Sequence, residues 1–251
     1  MFLIIAIVLY ILNHNLYYIK EMKRVISFSL WGSNPTYNVG AIKNAEIALT
    51  MYPNFECWFY IHKETVPERT VNSLVKLKNT KIIFKYGDLS ILKPMTWRFE
   101  SIDVPEVEIN MSRDTDTRIL LREKLAVDEW INSGKTFHIM RDHPHHNFQV
   151  LGGMFGVKKY KELSCWNELI KNYSNTQRTD YDQAFLADVI YPVLKNDSYI
   201  HSTFHKYENE VIHPFPIPYC SNWLFVGGYV YQDESTSLRH INDLKKGIQL
   251  H

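Results

Sequence analysis

The chain is 251 residues long, 45% of them hydrophobic and 14% aromatic, enough for the core of one large α/β domain or two small ones. Its 28 basic and 27 acidic side chains nearly cancel and no block of like charge stands out, which argues against a broad electrostatic grip on nucleic acid. The three cysteines, Cys57, Cys165 and Cys220, form no CxxC pair, so neither a disulfide scaffold nor a structural zinc site is expected, and a reducing compartment suits them.

The first stretch, FLIIAIVLYIL (2–12), is apolar but broken by Asn13, His14 and Asn15. That is short of the roughly 20 apolar residues a spanning helix needs. No basic n-region or small-residue cleavage site marks a secretory signal. Residues 1–21 read as a short membrane anchor or an appended leader, with membrane contact confined to 2–19, and 22–251 as a single domain. The expected location is cytoplasmic, with membrane association only through that segment.

From Met22 onward strands and helices alternate. RVISFSL (24–30) is β-rich and runs into the turn-prone WGSNPTYNVG, after which AIKNAEIALTMY (41–52) has helical spacing. CWFYIH (57–62) predicts a second strand, TVNSLVKL (70–77) a second helix and KIIFKY (81–86) a third strand. MTWRFESID (95–103) is irregular; VEINMS (107–112) alternates as a strand, and a helix is expected from Thr117 to the stop at Ser133-Gly134. TFHIM (136–140) is a further strand, LGGMFG (151–156) a glycine-rich turn, and KKYKELSCWNELIKNY and TDYDQAFLADVIYPVL (179–194) are helix candidates. The aromatic, proline-rich remainder reads as irregular. This order implies an α/β class with a mostly parallel sheet and crossover helices.

Two charged clusters fall at predicted strand ends, where open α/β sheets bind ligands. In SRDTDTR (112–118), Asp114 and Asp116 can aim at one site; hard cations such as Mg²⁺ or Mn²⁺ take carboxylate oxygens and complete their shell with phosphates. The competing reading is a helix cap made by Asp116 or Thr117. RDHPHH (141–146) offers a charge clamp, a base and metal ligands, or else an ordinary surface turn. Gly152 and Gly153 permit close backbone approach or a plain tight turn. Asp180 and Asp182 start a helix, either complementing its dipole or serving as a base. His201, His205 and His213 are spare histidines, one of which could complete a metal shell. No dinucleotide fingerprint, P-loop or nucleophile elbow is present.

The ordered set FSLWGSNPTYNVGAIKNAEIA (28–48), MTWRF (95–99), SRDTDTRILLREKLAVDEW (112–130), FHIMRDHPHH (137–146), LGGMFG and DQAFL (182–186) resembles the GT-A nucleotide-sugar glycosyltransferases. In particular it is similar to a family found in large DNA viruses, including a chlorella-virus glycosyltransferase domain, and in bacteria. The resemblance covers about Val25 to His205. It implies a Rossmann-like, mostly parallel sheet flanked by helices, and transfer of a sugar from a nucleoside-diphosphate donor, of uridine or guanosine type, to a glycan or other hydroxyl acceptor. It further implies Mn²⁺ or Mg²⁺ on Asp114 and Asp116, with His201 as third ligand. Trp31, Gly32, Tyr37, Arg98, Arg113, His143, Gly152 and Gly153 would bind the donor; Arg118 could also meet its phosphates. Asp182 and Asp142 are the implied catalytic carboxylates. Two rival readings are a non-catalytic nucleotide-sugar binding domain, and a metal-dependent phosphohydrolase or nuclease built on RDHPHH. The missing basic stripe weighs against nucleic acid as a partner.

Overall fold

The computed structural model describes residues 22–160, 165–174 and 180–250. The expected class is what the structure has: a mixed, mostly parallel eight-stranded sheet flanked by helices. Its strands are β1 (Lys23–Leu30), β2 (Phe55–His62), β3 (Thr80–Lys85), β4 (Val107–Arg113), β5 (Phe137–Arg141), β6 (Met154–Lys158), β7 (Ser198–Ser202) and β8 (Ile212–His213). They lie in the order β3-β2-β1-β4-β6-β5-β7-β8. Only β6 runs against its neighbours, β4 and β5.

Alternation along the strands explains the layering. In β2, Cys57, Phe59 and Ile61 face a core with Ala41, Ala45, Ala48, Val127 and Trp130, while Trp58 and Tyr60 face a second core with Val25, Trp97 and Val107. A residue period of two delivers successive side chains to opposite faces, so a strand buried on both sides is apolar almost throughout. A third core around Phe99, Phe137, Phe155, Trp166 and Phe185 lies under the other half of the sheet.

The helices are α1 (Pro35–Met51), α2 (Glu68–Val75), α3 (Leu121–Asn132), α4 (Trp166–Asn172), α5 (Tyr181–Phe185), α6 (Tyr191–Leu194) and α7 (Leu238–Gln249); a π-helical turn, Leu186–Ile190, joins α5 to α6. Several expectations shift: the second half of the LGGMFG turn begins β6, and the helix expected over 158–173 is helical from Trp166, with Lys158 in β6. Helix α1 starts at Pro35 rather than Ala41, because Asn34 caps it through the Thr36 amide at 3.0 Å and Pro35 takes the first turn, where a missing N–H costs nothing. The helix expected from Thr117 starts at Leu121, so neither Asp116 nor Thr117 caps it. The C-terminal part is not all irregular: it supplies β7, β8 and α7. MTWRFESID lies in a 3₁₀ segment, Pro94–Asp103. No helix of the described residues is long and apolar enough to cross a membrane, and the leader at 1–21 lies outside them.

Candidate functional site

A cavity of about 340 Å³ opens at the carboxyl ends of β1 and β4, lined among others by Trp31, Tyr37, Arg98, Asp114, Asp116, Gly152, Gly153 and Asp182. Arg98 is its centre. The 3₁₀ segment holds the Arg98 backbone against β1: the amide donates to Ser29 Oγ at 3.0 Å and the carbonyl accepts from Ser27 Oγ. Its guanidinium, 6% exposed as a residue, reaches two carboxylates, Nη1 to Asp114 Oδ1 and Nη2 to Asp182 Oδ2 at 2.7 Å. Arg98 Nε is buried with no partner among the described residues.

The D-x-D loop between β4 and α3 is held from outside itself. Asn44 of α1 donates to the Thr117 carbonyl at 2.8 Å and accepts from the Ile119 amide at 3.0 Å. Gly40 lets that loop lie on α1, since a Cβ there would fall 1.8 Å from the Thr115 carbonyl oxygen. Arg118 donates to the Thr117 carbonyl and pairs with Glu234 at 2.8 Å, and the Val230 amide donates to the Asp116 carbonyl at 2.8 Å. The segment after β8 thus straps across the loop and brings Gly227 and Tyr229 into the cavity wall.

The glycine pair has a steric reason. A Cβ on Gly152 would stand 2.0 Å from Asp182 Oδ2 and 2.6 Å from Arg98 Nη2, and one on Gly153 1.8 Å from Asp114 Oδ2. The two ion pairs and the glycine backbone therefore fill one space; the Ser112 hydroxyl fixes it by donating to the Gly152 carbonyl at 2.6 Å.

Electrostatics follow from crowding. Burial, then the Asp114 charge, push Asp116 up to about 7 against the pull of Arg98 and Arg118. Burial also raises Asp182, aided by Asp114 and opposed by Arg98. Burial alone would lower Arg98, but the two carboxylates outweigh it and raise it. Burial and then Asp116, Tyr229 and Asp114 push the Tyr37 phenol up to about 12, so it stays a neutral donor. Three carboxylates facing one guanidinium form a site short of positive charge. Two aspartates with room for water and phosphate oxygens suit a hard divalent cation, so Asp114 and Asp116 fit Mn²⁺ or Mg²⁺.

Five expected residues stand elsewhere. Arg113 is turned under the sheet, 2.6 Å from Glu123 and 2.8 Å from the Phe155 carbonyl, so it has no donor-facing group to offer. Asp142 is fully buried: Arg122 grips both oxygens, and Thr203, Tyr219 and the Val226 amide donate to it as well. It anchors the strap rather than facing the cavity. His143 is buried, its Nε2 2.9 Å from the His240 carbonyl and its ring stacked on Phe225. His201 lies between His138 Nε2 at 2.9 Å and Glu129 at 3.1 Å, away from the aspartates. No group of three or more His, Cys, Asp or Glu poised for a metal occurs among the described residues. Gly32 does not line the cavity; at φ +74° it shapes the turn after β1, its amide donating to Thr65.

Sequence reasoning offers His146 only as one of the RDHPHH side chains and misses Met95, Gln183, Gly227 and Tyr229; all five line the cavity. The Gln183 side-chain oxygen is buried without a partner among the described residues. A signal existed for two of them: FVGGYVY carries the same glycine pair between apolar residues as LGGMFG. His146 reaches the wall because the loop folds back, the Asp142 amide donating to its Nδ1 at 3.0 Å, and no periodicity announces that.

No family model and no curated protein matches the chain. Among solved structures it is similar to the galactosyltransferase LgtC in complex with donor and acceptor sugar analogs, at 12% identity and TM-score 0.44, covering 70% of this chain and 73% of that one. An active-site mutant of LgtC aligns at the same identity and TM-score. A 4-diphosphocytidyl-2C-methyl-D-erythritol synthase from Anaerococcus prevotii aligns over 92% of this chain and 97% of its own, also at 12% identity and TM-score 0.44. At these values neither the substrates nor the reactions of those proteins transfer to this chain.

Proposed function

We propose that this chain is a divalent-metal-dependent glycosyltransferase that moves a sugar from a nucleoside-diphosphate donor, of uridine or guanosine type, to a hydroxyl group of a glycan acceptor. The observation that supports this reading best is the cavity at the carboxyl ends of β1 and β4, where Asp114, Asp116 and Asp182 surround one buried arginine beside a glycine pair.

The roles follow from position. Trp31 and Tyr37, at 38% and 37% exposure, offer flat apolar faces to a nucleoside. Arg98 is the group for the diphosphate, because its planar donors match phosphate oxygens. The backbone of Gly152 and Gly153 gives the sugar close approach, and the orphaned Gln183 oxygen accepts from a sugar hydroxyl. Asp182 is the candidate to orient or deprotonate the acceptor. When bound, Mn²⁺ or Mg²⁺ on Asp114 and Asp116 supplies Lewis-acid stabilisation to the departing diphosphate. Arg98 adds preorganised positive charge to the same group. The phosphohydrolase reading keeps only His146 of its histidine shell in the cavity wall.

The test is a thermal-shift screen of uridine and guanosine sugars with and without Mn²⁺, since a ligand that binds only the folded state raises its apparent stability. A Mn²⁺-dependent shift with at least one donor is expected, lost in Asp116→Ala together with donor hydrolysis while the fold persists. A variant that hydrolyses donor as well as the parent protein defeats the reading.

A further inference from the structure

We infer that Arg98 is a built-in counter-cation that competes with the divalent metal for Asp114, so that metal and nucleoside diphosphate bind tightly only together. The inference rests on the proposed function and adds an order of assembly to it.

Asp114 is held on one oxygen and stays open on the cavity side, its side chain 40% exposed. Oδ1 carries Arg98 Nη1, and Oδ2 lies where a Cβ on Gly153 would fall. A metal ion approaching Asp114 must therefore displace a guanidinium N–H or sit beside a fixed positive charge, and next to the buried Arg98 guanidinium that repulsion is less screened than in bulk water. Arg98 cannot swing away freely, because its backbone is clamped by Ser27 and Ser29. It does have a second partner. Nη2 holds Asp182 at 2.7 Å, so Nη1 can leave Asp114 without stranding the charge.

Release of Nη1 leaves one guanidinium donor free beside the cavity while Nη2 stays on Asp182. A diphosphate oxygen accepts from it in a charge-assisted hydrogen bond, which water does less well. Its negative charge also offsets the guanidinium that repels the metal. Each ligand thus removes the obstacle to the other, and such coupling is reciprocal. Asp182 acts here as a positioning residue: it keeps the arginine at the cavity once Asp114 has changed partner.

The experiment measures Mn²⁺ binding directly, from the free-ion electron paramagnetic resonance signal, first with Mn²⁺ alone and then with UDP or GDP added. The parent protein is expected to bind Mn²⁺ alone weakly and about tenfold or more tightly with the nucleotide, within the usual range of coupling. Arg98→Gln is expected to bind Mn²⁺ alone about tenfold more tightly and to lose the enhancement. Because that variant strands buried Asp182, the double variant Arg98→Gln, Asp182→Asn is measured beside it; it keeps the parent net charge yet frees Asp114, and should also bind Mn²⁺ alone more tightly. If neither variant gains affinity while the parent protein binds Mn²⁺ with nucleotide, the competition is wrong and the glycosyltransferase reading stands. If no form binds Mn²⁺ with or without UDP or GDP, the proposed function itself fails.

Discussion

Two aspartate–arginine pairs sit at the carboxyl end of this sheet and serve opposite ends. Asp142 is fully buried against Arg122, and both of its oxygens are taken, by the guanidinium, Thr203, Tyr219 and the Val226 amide. Asp114 has a side chain 40% exposed, shares Arg98 with Asp182, and stands near a third carboxylate that burial and its charge push up to about 7. The first pair is closed, with charge balanced and donors matched to acceptors. The second is left short of positive charge and opens on a cavity. What separates the closed ion pair from the open one here is residual demand, not residue type: a buried charge that is fully met holds a fold together, and one that is not leaves room for a ligand.

Breaking the closed pair should produce the largest effect. Asp142→Ala leaves Arg122 buried without its partner and should cost about 3–5 kcal/mol, read from the urea midpoint. Asp116→Ala in the same assay should unfold near the parent midpoint. Equal losses in both would erase the contrast.

The open pair should fail in function instead. In Gly153→Ala the new Cβ would stand 1.8 Å from Asp114 Oδ2, so the carboxylate must move. Displacement on that scale at a reacting site costs about 10²-fold in rate, measured as donor hydrolysis. The control is Gly134→Ala, where φ is +76° and nothing lies within 4 Å. It should lose some stability through backbone strain and keep its activity.

These two regions also differ in how far the sequence announces them. Asp114, Asp116 and Asp182 are legible because each lies near a strand end or a helix start, which periodicity finds, and the glycine pair because LGGMFG reads as a turn; Arg98, inside the 3₁₀ segment, is reached only through the resemblance. Asp142 and His143 look the same by that test, since RDHPHH also follows a strand. What sets them apart is the strap that covers them, with its Tyr219 and Val226 contacts more than seventy residues away in sequence. Arg113 is lost for a simpler reason: a one-residue step along β4 turns a side chain to the other face, so Arg113 meets Glu123 while Asp114 meets Arg98. The start of α3 moves four residues because Asn44 and Val230 hold the D-x-D loop in non-helical form, and local propensity knows nothing of either.

Acidification should pull the two regions in opposite directions. Burial lowers His146 to about 3 and His138 well below its usual value. Geometry agrees for His146, whose Nδ1 accepts from the Asp142 amide and must be unprotonated there. Between about 3 and 6.5 the unfolded chain binds the proton that folded His146 refuses, so its contribution to stability falls as pH drops. Asp116 has the reverse sign: its folded value of about 7 lies above the unfolded one, so it favours the fold as pH drops from 7 toward 4. In EDTA, His146→Gln should therefore lose less melting temperature than the parent protein between pH 7.5 and 5.5. An unchanged or steeper loss would contradict the neutral, buried histidine.

The smallest expected effect lies on the strap, which both regions hold. At one end Asp142 accepts from the Val226 amide in the core; at the other Arg118 pairs with Glu234, whose side chain is 51% exposed. An exposed pair contributes about 0–1 kcal/mol and is screened by salt, so Glu234→Gln should change stability by less than about 1 kcal/mol, and by nothing measurable near 1 M salt. Hydrogen exchange places the effect. Glu234→Gln should speed exchange slightly at the Val230 amide, which donates to Asp116, and leave Val226 protected, whereas Asp142→Asn should expose Val226 first. If Glu234→Gln frees both amides alike, the strap is held from its exposed end, and the D-x-D loop depends on a surface ion pair rather than on the buried aspartate behind it.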